Sequence, residues 1–148
     1  MTWRRLLFGD ARLYAAAVIL TAAVTWILYG LGAFDWGVPL GWSDPATLIS
    51  GDDIFTMVTV HDVITTGWYE NAPLLGAPFG AVFHDFPDTS ITHFAVVKLL
   101  SLFSSNWAAV FNLYYFLGFP LAAGTAVWFF RTIRLPGAVS IAMAMLFA

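Results

Sequence analysis

The chain contains no cysteine, which removes disulfide scaffolds, thiolate metal sites and cysteine nucleophiles together. Charge is scarce as well. Only 10% of its 148 residues are Asp, Glu, Lys or Arg, against roughly 25% in an average soluble domain. Residues 32–97 include no lysine or arginine at all. There is no glycine-rich phosphate loop, no Gly-x-Ser-x-Gly elbow, no His-Glu-x-x-His pair and no basic patch for nucleic acid. Nucleotide hydrolysis, serine-hydrolase chemistry and nucleic-acid binding therefore have no footing here, and neither an internal repeat nor a low-complexity tract is present.

What the chain has is apolar length. Hydrophobic residues make up 60% of it, and its mean hydropathy is +0.80. Residues 13–31 and 107–130 run without a charge, and at about 1.5 Å per helical residue each can cross a hydrocarbon core of roughly 30 Å. Backbone amides in lipid need internal partners, so both runs are expected to be helices. A signal peptide with Arg4 and Arg5 as its basic end competes for the first run. That run is longer than an h-region of about 7–15 residues, and Leu31-Gly32-Ala33-Phe34 is a poor cleavage site. The expected fold is all-α, a polytopic transmembrane helix bundle with a long external loop. Residues 1–12 form a cytoplasmic N-terminus, 131–137 a cytoplasmic turn and 138–148 the start of a third span. That third run is too short to cross, so the chain reads as the N-terminal part of a larger polytopic protein, packed against its remaining transmembrane helices. Arg4, Arg5 and Arg12 before the first span, with Arg131 and Arg134 after the second, place residues 32–106 outside.

The loop at 32–106 holds eight of the nine acidic residues and all three histidines. Loops this long are usually functional, and this one is too aromatic to be disordered. Residues 33–50 suit an interfacial segment, with Trp36, Pro39, Trp42 and Pro45. Ile54, Met57, Val58, His61 and Ile64 recur at helical spacing and predict an amphipathic helix over 53–66, capped by Ser50 or Asp52 and ended by Gly67. Residues 68–87 read as irregular. A second amphipathic helix is expected over 91–103, in the interface plane with its apolar face down, and Lys98 snorkels. In the second span, Pro120 predicts a kink, Ala122 and Ala126 a small-residue contact, and Asn112 a hydrogen bond across helices.

Candidate chemistry clusters in that loop. Asp52 and Asp53 open the first loop helix, where the helix dipole favours negative charge. Such a pair is either a first-turn cap or a general base, with a divalent cation, magnesium or manganese, between its carboxylates. His61 shares a face with Asp53, about 12 Å along the axis, while His61-Asp62 reads more simply as a solvated pair. His84, Asp85, Asp88 and His93 form a second cluster whose spacing fits no strong metal motif. Glu70 and Asn71 can reach a polar substrate.

The basic N-terminus, the single span and the long external loop opening on an acidic pair resemble the start of the GT-C superfamily of polytopic glycosyltransferases. More narrowly, Gly51-Asp52-Asp53-Ile54-Phe55, Gly67-Trp68-Tyr69-Glu70-Asn71-Ala72-Pro73-Leu74-Leu75-Gly76-Ala77-Pro78-Phe79-Gly80 and Phe86-Pro87 look like a group of large bacterial membrane proteins. The resemblance implies a bacterial inner-membrane enzyme with a polyprenyl-phosphate sugar donor. Asp52 then matches the leading aspartate of the superfamily's Asp-Glu pair, and Asp53 replaces its glutamate. His61, Glu70, Asn71, His84, Asp85, Asp88, His93 and Lys98 are the candidate substrate contacts. The alternative is a non-enzymatic membrane protein, a transporter, flippase or envelope assembly factor whose loop binds a partner or a cation.

Overall fold

The computed structural model describes residues 10–40, 51–76, 78–84 and 91–148, with the backbone alone at 51–53. Among them are five helices and one small hairpin: α1 (Ala11–Leu28), α2 (Gly51–Thr66), β1 (Asn71–Ala72), β2 (Ala81–Val82), α3 (Ile91–Leu100), α4 (Trp107–Thr132) and α5 (Gly137–Phe147). They group into two compact units, one drawn from Met1–Phe34 with Tyr115–Ala148 and the other from Asp35–Tyr114. Helices α1 and α4 are each long and apolar enough to cross a membrane.

The first unit is built on small residues. Ala17, Ala126, Val127 and Ala144 form its buried centre, with Leu13, Tyr14, Phe130 and Ile141 packed around them. Small side chains let helix backbones approach closely, the usual basis of packing between apolar helices. A Cβ on Gly137 would stand 2.9 Å from Leu13 Cδ1, so any larger residue there would make the Leu13 side chain shift. Ala123 and Ala126 are the buried alanines of α4, while Ala122 is half-buried. Helices α1 and α4 run antiparallel: Asp10 pairs with Arg131 at one end, and Trp26 meets Phe116 edge-on towards the other.

The expected turn after α4 is a Schellman cap. Leu135 N–H donates to the Phe130 carbonyl and Arg134 N–H to that of Arg131, with Arg134 left-handed at φ 66°. The helix continues through Pro120. That proline has no N–H for the Phe116 carbonyl.

The second unit has an aromatic and aliphatic core. Met57, Val60 and Val63 of α2 meet Phe94 and Val97 of α3, Val110 and Phe111 of α4, and Tyr69. Ring stacking of Tyr69 on Phe94, with centroids 5.2 Å apart, ties the chain after α2 to α3. Three expectations are corrected here. Helix α2 turns Met57, Thr59, Val60, Asp62 and Val63 inward and leaves Ile54 exposed with Val58, His61 and Ile64 half-buried, so its buried face is not the expected one. The second loop helix ends at Leu100 and passes through a turn at 101–103, and Phe94 and Val97 face protein. Within the stretch expected to be irregular lies an antiparallel hairpin, pairing Asn71 with Val82 and Ala72 with Ala81.

Asn112 locks the start of the loop onto α4. Its side chain is fully buried. Nδ2 donates to the carbonyls of Trp36 (3.2 Å) and Val38 (2.8 Å), and Oδ1 accepts from Leu40 N–H at 2.8 Å. The expected partner was another helix; the observed one is loop backbone that belongs to no helix or strand. Each buried backbone group left without its bond costs about 1–3 kcal/mol. Asn112→Leu should therefore lower the melting temperature in detergent by several degrees and expose Trp36 to collisional quenchers. An unchanged melting temperature would show that the clamp contributes nothing.

Candidate functional site

Helix ends and the first turns of α4 position the ionisable residues of the second unit. Asp52 and Asp53 stand in the first turn of α2, where unpaired backbone N–H groups favour negative charge. Their side chains, like Asp85 and Asp88, lie outside the described residues, so the carboxylate pairing expected to hold a cation concerns atoms outside them. Among the described residues no three His, Asp or Glu side chains converge on a common point.

At its C-terminus α2 is capped by one side chain, that of Lys98, while two threonines bond back along the last turn. Thr65 and Thr66 donate to the carbonyls of His61 and Asp62 at 2.7 and 2.8 Å, and Lys98 Nζ donates to that of Val63 at 2.8 Å. The Lys98 ammonium thus neutralises the negative end of the α2 dipole. Lys98 does not snorkel away as the sequence suggested: α3 packs against α2, which brings this carbonyl within its reach.

Two histidines converge on α4. The His61 ring meets Trp107 edge-on with centroids 5.1 Å apart, and His93 Nδ1 bonds the Tyr114 hydroxyl. Trp107 and Tyr114 are seven residues apart, about 10 Å along the helix. The first two turns of α4 therefore carry both rings. Asn106 caps that helix, its Oδ1 accepting from the amides of Ala108 and Ala109 at 3.0 and 3.2 Å. Glu70, Asn71 and His84 do not join this group. All three are exposed at the hairpin, with Asn71 in β1 and His84 two residues beyond β2.

The residue that sequence reasoning misplaced is Asp62. Expected to be solvated beside His61, it has 0% exposure, and among the described residues neither carboxylate oxygen has a hydrogen-bond partner. Its α2 neighbours Val60 and Val63 belong to the apolar core. The three-residue spacing of Met57, Val60 and Val63 marks a second apolar arc, but at about 100° per residue Asp62 lies nearly opposite its middle, so periodicity carried no signal of its burial. An unpaired polar group in such a setting costs about 1–3 kcal/mol, more if charged. Chemically, the site can accept a proton, a donor side chain or a cation that reaches the core. Tyr114, the partner of His93, was also missed, because an aromatic in a spanning run carries no distinguishing pattern.

No family model, no curated protein and no solved structure matches this chain. The functional assignment consequently stands on residues and geometry.

Replacing Asp62 by an apolar side chain of similar size removes the orphaned oxygens without opening a large cavity. Asp62→Val is therefore expected to stabilise the protein by about 1–3 kcal/mol, measured as a rise in melting temperature in detergent. A fall instead would mean that the carboxylate is satisfied in the working protein.

Proposed function

We propose that this chain is part of an integral membrane glycosyltransferase, a polytopic α-helical protein that moves a sugar from a polyprenyl-phosphate donor to an acceptor on the external face of the membrane. The observation that carries the proposal is positional. Residues 35–114, which follow one helix apolar enough to span and take in the first two turns of the other, fold as a unit with its own core, and Asp52 and Asp53 open its helix α2. Their place in the first turn gives an acidic pair dipolar support for its charge.

In the proposed reaction Asp52 takes the proton of the acceptor hydroxyl as that oxygen attacks the anomeric carbon. The bond from that carbon to the phosphate oxygen breaks, and the lipid phosphate departs as the anion. Asp53 supports the base or shares a divalent cation with it. A base in this role must lie within about 2.6–3.2 Å of the acceptor oxygen. The departing phosphate needs donors, and His61 on α2 with His93 and Lys98 on α3 are the candidates in this unit. One observation favours the non-enzymatic alternative: a buried Asp62 without a partner among the described residues suits a protein that handles protons or cations.

The proposed orientation is a cytoplasmic N-terminus with residues 32–106 outside. It is supported by the Asp10–Arg131 pair, which puts the start of α1 and the end of α4 at one level, and by the basic residues at that end. Since the chain has no native cysteine, single cysteines report cleanly. Glu70→Cys should react with an impermeant maleimide on intact spheroplasts and Thr132→Cys should not, and the reverse pattern would overturn the orientation.

The chemistry has its own test. Asp52→Asn should reduce glycan transfer by about 10²–10⁴-fold while membrane insertion and melting temperature hold. Asp53→Asn should reduce it less, and Asp44→Asn scarcely at all. Normal transfer by Asp52→Asn would rule out its role as the base, and loss of folding would identify it as a cap.

A further inference from the structure

The hairpin after α2 has a shape and a polarity that the proposed chemistry does not account for. Residues 71–83 include no ionisable side chain. Two glycines with left-handed backbones, Gly76 at φ 67° and Gly80 at φ 77°, fold its end tightly. A Cβ on Gly76 would lie 3.1 Å from the Gly80 carbonyl oxygen, and one on Gly80 3.3 Å from Pro73 Cα, so the turn has little room to vary. Phe79 N–H donates to the Gly76 carbonyl at 3.2 Å, which holds this residue within the turn. Its ring is 94% exposed, with Val82 at 67% and Leu74 at 54%. A phenylalanine in a constrained turn is stabilised by apolar cover, yet none of the described residues covers it.

The polarity runs in one direction. Apolar side chains occupy the end, and the first ionisable ones, Glu70 and His84, flank the base, where Phe83 N–H donates to the Glu70 carbonyl at 2.8 Å. That order matches the profile of a bilayer surface, with apolar groups inward and ionisable groups at the headgroups or in water. The same unit exposes Leu99, Leu102 and Phe103, the last at 82%. Phe103 lies four residues before α4, one of the two helices able to span. If α4 is embedded, the bilayer is tethered to this unit by a few residues, at high effective concentration.

From these observations we infer that the 71–83 hairpin is a membrane-contacting finger that seats Phe79, Leu74 and Val82 at the boundary of headgroups and acyl chains. The inference rests on the membrane-embedded reading of α1 and α4 and is independent of the transfer chemistry. A finger in that position holds the second unit against the lipid surface, where a substrate with a lipid tail arrives.

The experiment uses single-cysteine proteins, Phe79→Cys, Glu70→Cys and Leu121→Cys, labelled with an environment-sensitive fluorophore. Each is reconstituted in vesicles of phosphatidylethanolamine and phosphatidylglycerol that carry nitroxide at a shallow or a deep acyl position. Leu121 is exposed on α4 and reports the span. The expected result is a blue shift at 79 with at least twofold stronger quenching by the shallow nitroxide, water-like emission at 70, and quenching by lipid nitroxide at 121. Water-like emission at 79, or a blue shift without nitroxide quenching, would overturn the finger; the second pattern means a protein surface covers it. Loss of quenching at 121 would instead remove the membrane reading, and the finger with it.

Discussion

One buried amide organises the loop unit. The Asn112 side chain, without exposure to solvent, spends both its donors and its acceptor on the backbone of Trp36, Val38 and Leu40. Those residues lie outside any helix or strand, so their N–H and C=O groups have no ladder to join. Leaving these half-buried groups without partners would cost about 1–3 kcal/mol each. The clamp lets an irregular chain be buried beside a helix, and the core of Phe94, Val97, Val110 and Phe111 is then built on a fixed edge.

Asn112 and Asp62 are opposites in the same unit. Both are polar, both have no exposure, and one is fully bonded while the other has no partner among the described residues. Folding alone does not select an orphaned buried carboxylate, since an apolar residue would serve α2 better. Sites that break a local rule without visible compensation are where function is expected. Asp62 therefore stands beside the Asp52–Asp53 pair as a second acidic feature of the same helix, buried in the unit instead of at the open end.

The surfaces of the two units carry a shared theme. In the first, apolar side chains such as Ile27, Leu28 and Leu121 face outward from a centre made of three alanines and a valine. In the second, the hairpin end and the turn after α3 present phenylalanine and leucine to the outside. A water-soluble protein would cover surfaces of this kind. In the proposed membrane setting lipid would cover both, with Glu70 and His84 at the hairpin base at headgroup level.

Helix number and approximate placement were legible in the sequence, because charge-free length and three-to-four spacing are local properties of the chain. The runs at 13–31 and 107–130 lie within three residues, at every end, of helices Ala11–Leu28 and Trp107–Thr132, and Gly67 follows α2 with φ 141°, as a terminating glycine can. The acidic pair is likewise a local feature, visible as two adjacent carboxylates at a helix start. What periodicity could not decide was which arc of α2 turns inward. Ile54–Val58–His61 and Met57–Val60–Val63 both satisfy helical spacing, and only the positions of Phe94, Val110 and Tyr69, far away in sequence, choose between them. The hairpin was missed because its two-residue strands are too short to show alternation and depend on glycines whose φ values a sequence does not print. Sequence determined the helices, the charge-free spans and the acidic helix start, since neighbouring residues suffice for those. Tertiary structure alone decided that Asp62 is buried, that Lys98 caps a helix and that Asn112 holds the loop, because each depends on groups brought together across dozens of residues.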